Sequence, residues 1–306
     1  MNTQLHHLRV GWLVSFAAVR QNPKLWPQAQ ASVADGVPLV FDSGAFSVAT
    51  TGQPVSLLAY TNWLRANSKW RQADWCASLD VVGDPDTTYR NHASMVAAGI
   101  ENAIPTLHLG APVHWLDKYA RLGTKRVAIG GITAQLRRIR GFSDADVDAW
   151  LSVVMPRCQQ LGMVTHGFGI NAEKLVRGYA WDSVDATSFA SGTRFRTVPV
   201  YDGSKLRNIG IDELTERHVQ HLHRIGVNTN VMANAFVVGV NGHQQWGQLL
   251  RAGLKAVASA IHDWNADLKT LYVSDWAMGH HILPMMGQWM RTPRVFMDVV
   301  QAHRQE

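Results

Sequence analysis

Three aspartates stand at the ends of short apolar runs, at widely separated positions in this sequence. The runs are Leu39-Val-Phe-Asp42, Trp75-Cys-Ala-Ser-Leu-Asp80 and Ser183-Val-Asp185. Each run is typical of a buried strand of a parallel sheet that ends in an acid. Carboxylates that share a closed site spread their pKa values apart, so one can attack a sugar's anomeric carbon while another shuttles a proton. Glycosyl chemistry is therefore the leading interpretation, although each aspartate alone is also explained as a helix N-cap or a loop anchor.

Other predicted strand ends carry residues suited to a flat ligand. The runs Ala103 to His108 and Arg126 to Ile129 are further strand candidates, and the second continues into Gly130 and Gly131. Paired glycines let a ligand approach bare backbone N–H groups closely, but a simple turn explains them as well. Phe46, just after the first acidic run, is either a stacking platform for a planar ligand or a side chain packed under its own loop.

Strand-like and helix-like segments alternate at a spacing of roughly 25 to 35 residues, with no Gly-, Pro- or Ser-rich linker between them. Ser56 and Ser143 are suitable N-caps for two of the helical segments. This alternation predicts an α/β fold, most economically a (β/α)₈ TIM-like barrel with its chemistry at the carboxyl ends of the strands. A doubly wound open sheet stays possible, although no Gly-x-Gly-x-x-Gly turn follows the first strand. We expect residues 1–306 to form a single domain, in which 8–200 supply the barrel strands and the site, and 200–306 form a helical portion that completes the barrel.

Composition narrows the class of protein. A chain of 306 residues that is 46% hydrophobic can bury a large core. It has no apolar run of membrane-spanning length and no leader-like start, so we expect a soluble protein in the cytoplasm, or in the host cytoplasm if it is phage-encoded. Its two cysteines, Cys76 and Cys158, exclude a disulfide framework and a Cys-rich zinc site. The net charge of +6 favours a polyanionic partner such as nucleic acid.

Several short motifs, taken in order, resemble those of a known family. They are Asp42-Ser-Gly-Ala-Phe46, Ser78-Leu-Asp80, Ala128-Ile-Gly-Gly-Ile132, His166-Gly-Phe-Gly169 and Asp182-Ser-Val-Asp185. Over about residues 8–200 the chain resembles the tRNA-guanine transglycosylases, and more narrowly the DNA-guanine transglycosylase branch of phages and bacterial genomic islands, which puts 7-deazaguanine bases such as preQ0 into DNA. The resemblance implies a DNA partner, with tRNA as the alternative, and a 7-deazaguanine co-substrate without any other cofactor.

The chain departs from the tRNA enzymes after the seventh strand. In those enzymes a zinc site of three cysteines and a histidine follows, whereas this sequence has no cysteine beyond Cys158. A helix with His218, His221 and His223 has no thiolate or carboxylate partners at matching spacing, so a solvated helix face is favoured over a metal site. We therefore expect a reduced, zinc-free C-terminal subdomain, which favours DNA over tRNA.

The resemblance also implies roles for individual residues. Asp185 resembles the nucleophile that attacks C1′ of the target nucleotide, and Asp42 resembles the acid/base residue. Asp80 corresponds to the carboxylate that reads the guanine N1 and amino edge. Ser43 lies in the same pocket, and Phe46 corresponds to the aromatic on which the base stacks.

Further positions correspond to the pocket walls and to the nucleic-acid surface. Gly130, Gly131 and the Ile132 amide resemble the backbone that meets the base's carbonyl oxygen. His108 stands near the family's pocket glutamine, and His166, followed by Gly167, stands where an apolar stacking residue is common. Arg194 resembles a phosphate-binding arginine. Further phosphate contacts are predicted for Arg137, Arg138 and Arg196, for which a solvated surface is the alternative.

Three other functions stay open at this point. One is base exchange on tRNA. Another is a barrel glycoside hydrolase that uses Asp42 and Asp185, which the aromatic and glycine loops disfavour because they suit a flat base better than a sugar. The third is a nucleic-acid-binding subunit without catalysis. The sequence also leaves open whether the protein forms a homodimer.

Overall fold

A computed structural model describes residues 8–67, 72–190, 195–233, 243–274 and 279–304. Its strands are β1 (Arg9–Ser15), β2 (Leu39–Asp42), β3 (Trp75–Ala77), β4 (Ala103–Ile104), β5 (Thr106–His108), β6 (Arg126–Gly130), β7 (Val164–Gly167), β8 (Ser183–Ala186), β9 (Thr197–Tyr201), β10 (Leu206–Gly210) and β11 (Thr270–Val273). The five strands predicted above from apolar runs are all present, and β4 and β5 are the two halves of one of them.

Nine of these strands form a single parallel sheet in the order β4-β3-β2-β1-β11-β8-β7-β6-β5. The two strands at the ends of this order are consecutive in the chain and are separated only by Pro105, which has no N–H to donate to a ladder. The Pro105 carbonyl accepts a hydrogen bond from the Ala128 amide of β6, at 2.9 Å. The sheet is therefore nearly closed and barrel-like. This confirms the predicted α/β class and is compatible with a TIM-like barrel.

Helices surround the sheet. They are α1 (Phe16–Gln21), α2 (Leu25–Ala34), α3 (Ala45–Thr51), α4 (Leu57–Ala66), α5 (Pro85–Ala97), α6 (His114–Arg121), α7 (Ala134–Arg140), α8 (Asp144–Gln160), α9 (Glu173–Gly178), α10 (Glu216–Arg224), α11 (Thr229–Ala233), α12 (His243–Trp264), α13 (Gly279–Arg291) and α14 (Pro293–Arg304). Both predicted caps are confirmed, since Ser56 accepts from the Ala59 amide and Ser143 forms a capping box with Asp146. None of the helices in the described ranges is both long and apolar enough to cross a bilayer.

Side chains alternate between the inside and the outside of the sheet. Val40 belongs to a cluster inside the barrel with Leu13, Trp75 and Ala128, whereas the flanking Leu39 and Phe41 pack outward against the helices. The period of two along each strand fixes which residues reach the interior. Both cysteines are free and buried.

The C-terminal third contains more than the predicted helices. An antiparallel hairpin of β9 and β10 follows the barrel strands, and β11 pairs with both β1 and β8 in the sheet. A second apolar cluster, which includes Val198, Leu222 and Leu249, packs the hairpin against α10 and α12. The prediction that the histidines of α10 lie on a solvated face is wrong for His221. Its side chain is fully buried, with the ring centre 4.7 Å from that of His303.

Candidate active site

A cavity of about 540 Å³ opens at the carboxyl ends of the parallel strands. Its size falls within the roughly 300–1,000 Å³ that is usual for small-molecule sites. Residues at or just beyond the carboxyl ends of strands line it, namely Ser15, Asp42, Asp80, His108, Gly130, Gly131, Phe168, Gly169, Asp185, Thr187 and Ser274. Thr106, at the start of the short strand β5, also lines it. Ligand sites of parallel barrels form at this end of the sheet, so the location agrees with the fold.

The inward periodicity of the strands explains how these residues reach the cavity. Asp42 lies two residues beyond Val40, and Gly130 two beyond Ala128, so each continues an interior column of side chains to the mouth of the barrel. Asp80 differs because it lies in the loop three residues after the end of β3. The three predicted acids therefore meet at one cavity although they are far apart in sequence.

The environment of Asp42 shifts the pKa of its carboxyl strongly. Burial raises the pKa of its carboxyl to about 7, and the negative charges of Asp80 and Asp185 add to this effect. The Gly44 amide donates to Asp42 Oδ2 at 3.0 Å and, together with Ser15, partly opposes the rise. A carboxyl with a pKa near 7 can both give and take a proton at neutral pH.

Asp185 is anchored through one of its two oxygens. Oδ1 accepts a hydrogen bond from the Gly169 amide at 2.7 Å and lies 3.6 Å from Nε2 of His166. Within the described residues Oδ2 makes no hydrogen bond, and Asp185 lines the cavity with 7% of the residue's surface exposed. Gly169 has φ +67, and a Cβ there would lie 2.6 Å from Thr133 Cγ2, so the anchoring amide requires glycine.

Asp80 is held through both of its oxygens. Oδ1 accepts from the Ser43 hydroxyl at 3.2 Å, and Oδ2 lies 2.8 Å from Nε2 of His108. Asp80 and His108 both line the cavity, whereas Ser43 is fully buried behind Asp80. A carboxylate has about four acceptor positions, so Asp80 still has acceptor capacity for a ligand's N–H groups.

Phe46 lies at the cavity rim with 44% of its surface exposed. This exposure argues against the alternative that it packs under its own loop. Gly130 and Gly131 also line the cavity. A Cβ on Gly130 would lie 2.9 Å from Thr106 Cγ2, and Gly131 has φ +77, so both positions favour glycine.

Besides Ser43, three predicted base-binding residues lie behind the cavity wall. Ile132 and His166 are buried and do not line the cavity. Gly167 is closely packed, since a Cβ at this position would lie 2.6 Å from Ile170 and 3.1 Å from Trp181. Packing therefore explains why a glycine stands here.

Four arginines are predicted to bind phosphates. None of the three that the structure describes lines the cavity. Arg194 lies outside the described residues. Arg137 forms an ion pair with Asp144, and Arg196 lies 3.6 Å from Asp212. Arg138 is exposed on α7.

Several residues of the cavity wall were not predicted from the sequence. Thr106 and Thr133 line the cavity, and each has a buried hydroxyl without a hydrogen-bond partner in the described ranges. Thr106 was detectable because it lies two residues before His108 on the same strand and so shares its face. Phe168 also lines the cavity and packs edge-on against His166, with ring centres 4.7 Å apart.

Across the described part of the chain, no cluster of three or more His, Cys, Asp or Glu side chains is placed to hold a metal ion. The predicted lack of zinc stays a prediction. No family model and no curated protein matches the chain.

Proposed function

We propose that this protein exchanges guanine in DNA for a 7-deazaguanine base, such as preQ0, through a covalent Asp185–sugar intermediate. The observation that carries the proposal is that Asp42, Asp80 and Asp185 line one cavity of about 540 Å³. Phe46 at its rim provides a flat apolar surface, and the net charge of +6 suits a polyanionic substrate. The proposal includes a (β/α)₈ TIM-like barrel with a reduced C-terminal subdomain, and a cytoplasmic location.

In the first half of the reaction, the target nucleotide leaves the base stack and enters the cavity. Oδ2 of Asp185 is the attacking atom, because Oδ1 already accepts from the Gly169 amide. It forms a bond to C1′ while the C1′–N9 bond breaks and its electron pair passes to the departing base. Protonated Asp42 supplies the proton that the base takes up, as its pKa near 7 allows.

The second half reverses these steps with a new base. The incoming 7-deazaguanine gives its N9 proton to the Asp42 carboxylate, and N9 then attacks C1′ and releases Asp185. Asp80 accepts from the N1–H and amino groups of each base in turn, which is how the site would select guanine-like edges. No net proton or electron is gained or lost in the exchange.

The test is the release of labelled guanine from duplex DNA, single-stranded DNA and tRNA in the presence of preQ0. We expect release from DNA, and none with Asp185→Asn. Asp212→Asn is the matched control, since Asp212 is an exposed aspartate outside the cavity wall. Release from tRNA alone would replace the DNA proposal with its alternative. No release from any substrate, or full release by Asp185→Asn, would overturn the proposed chemistry.

A further inference from the structure

A buried chain of three side chains leads from the barrel interior to Asp185. His166 is fully buried, its Nδ1 lies 3.0 Å from the Ser183 hydroxyl, and its Nε2 lies 3.6 Å from Asp185 Oδ1. Strand register builds this arrangement. His166 of β7 is paired with Ser183 of β8, and Asp185 follows two residues later on the same face of the strand.

The three residues are not arranged as a serine nucleophile with its base. In a hydrolytic triad the serine faces the substrate and the acid lies behind the histidine. Here Asp185 lines the cavity, whereas Ser183 is 1% exposed and does not line it. The contacts of Ser183 and His166 therefore act on Asp185 and do not activate Ser183 as a nucleophile.

The surroundings of His166 decide which ring nitrogen carries the proton. Burial lowers the pKa of His166, so the ring is neutral and has one N–H. If the Ser183 hydroxyl donates to Nδ1, the N–H is on Nε2 and points at Asp185. The other tautomer would place the Nε2 lone pair against the carboxylate, which is repulsive.

The ring has little freedom to turn away from Asp185. It packs against Trp75 and Phe168, with ring centres 4.6 Å and 4.7 Å away. Within the described residues Nε2 has no hydrogen-bond partner that competes with Asp185. The 3.6 Å between His166 Nε2 and Asp185 Oδ1 is longer than a hydrogen bond. In this structure the Nε2–H group is therefore attracted to the carboxylate as a dipole is to a nearby charge.

We infer that His166 is a positioning residue for the nucleophile: its Nε2–H and the Gly169 amide hold Oδ1 of Asp185, and this directs Oδ2 toward C1′. The inference rests on the proposed function. A carboxylate held through one oxygen keeps the attacking oxygen in place, and misplacing a reacting group by about 1 Å can cost roughly 100-fold in rate.

The test compares His166→Phe, His166→Gln and Ser183→Ala. Phenylalanine keeps a flat ring against Trp75 and Phe168 but has no N–H, whereas glutamine restores an N–H donor. Ser183→Ala leaves the imidazole in place and removes the hydroxyl that determines which ring nitrogen carries the proton. The matched control is His303→Phe, since His303 is an equally buried histidine that does not line the cavity.

The readout is the rate at which a guanine-containing DNA oligonucleotide becomes covalently attached to the protein in a single turnover, together with the KM for preQ0. We expect His166→Phe to slow adduct formation about 10- to 100-fold with an unchanged KM. His166→Gln should recover part of the rate, Ser183→Ala should slow it less than His166→Phe does, and His303→Phe should leave it unchanged.

The outcomes separate the two proposals. If the wild-type protein forms no adduct, the proposed function fails. If the wild-type protein forms the adduct and both His166→Phe and Ser183→Ala form it at the wild-type rate, the positioning role fails. Should His166→Phe not fold, Ser183→Ala decides alone, and a wild-type rate for that variant overturns the inference.

Discussion

Nε2 of His108 lies 2.8 Å from Oδ2 of Asp80, and both side chains face the same cavity. A second donor, the Ser43 hydroxyl, holds the other Asp80 oxygen. Two polar contacts, one on each oxygen, fix the orientation of this buried carboxylate. The pair therefore presents acceptor atoms of fixed geometry to a ligand, which is what recognition of a base's N–H edge requires.

We expect His108→Phe to weaken base binding and to lower stability. The variant removes one donor from a buried carboxylate, and a hydrogen bond to a charged group contributes roughly 1.5–3 kcal/mol. The KM for preQ0 should rise at least tenfold, while His108→Gln, which keeps an N–H donor, should lose less. Steady-state exchange and urea unfolding measure the two effects. An unchanged KM in His108→Phe would show that this pair does not contribute to base binding.

Asp42 should give the reaction a distinctive pH dependence. Its pKa is raised to about 7, and in the proposed reaction guanine release uses the protonated form. Release in a single turnover should therefore slow as the pH rises through about 7. Attack by the incoming base uses the carboxylate and should speed up over the same interval. Rapid-quench measurements from pH 5.5 to pH 8.5 separate the two steps; rates that change in the same direction would contradict the assignment.

The same carboxyl should make stability depend on pH. Because the folded pKa of Asp42 is above the ordinary value of 3.8 for an aspartate, the folded protein retains a proton that the unfolded chain has lost between about pH 4 and pH 7. The contribution to the unfolding free energy therefore falls as the pH rises across this window, by a few kcal/mol at most. Asp42→Asn should remove this part of the pH dependence and be more stable than wild type at pH 8. Urea unfolding at pH 5 and pH 8 checks both statements, and an asparagine variant less stable than wild type at pH 8 would count against them.

Gly169→Ala should damage the site more than its backbone strain alone explains. Alanine at φ +67 is strained, and its Cβ would contact Thr133 and displace the amide that anchors Asp185. Gly162 provides the matched control, since it has φ +65 and open space where a Cβ would lie. Both variants should lose roughly 1–3 kcal/mol of stability from strain. We expect only Gly169→Ala to slow adduct formation, by tenfold or more, and equal adduct rates in the two variants would contradict the anchoring role.

Much of the site could be predicted because each acid follows a contiguous apolar run. In a parallel sheet such a run is buried and its end must lie at the edge, so Asp42 and Asp185 could be assigned to the mouth without coordinates. The layer to which a residue belongs depends on register, which a single sequence does not reveal. For this reason the sequence predicts that His166 contacts the bound nucleobase. In the structure its pairing with Ser183 places it one layer below the cavity.

The last strand of the barrel was not predicted for a different reason. β11 is a run of four residues that follows a hairpin and three helices, far from its partners β1 and β8 in sequence. Although α12 and α13 flank it, so short an apolar run cannot be told from part of a helix by periodicity alone. The burial of His221 also depended on a distant partner, His303, which no local pattern indicates.

Thr106 offers a test of ligand recognition that is independent of the acids. Its hydroxyl is buried at the cavity wall without a hydrogen-bond partner in the described residues, and leaving such a group unsatisfied costs roughly 1–3 kcal/mol. Thr106→Val has nearly the same shape and removes that cost, so the ligand-free protein should be as stable as wild type or more stable. If the hydroxyl contacts a polar atom of the base, the same variant should raise the KM for preQ0.

Thr165→Val is the control, because the Thr165 hydroxyl already donates to the Ala180 carbonyl at 3.1 Å and does not line the cavity. That control should be less stable than wild type with an unchanged KM. Urea unfolding and steady-state exchange together distinguish the outcomes, and a Thr106→Val protein with an unchanged KM would show that this hydroxyl contributes nothing to base recognition.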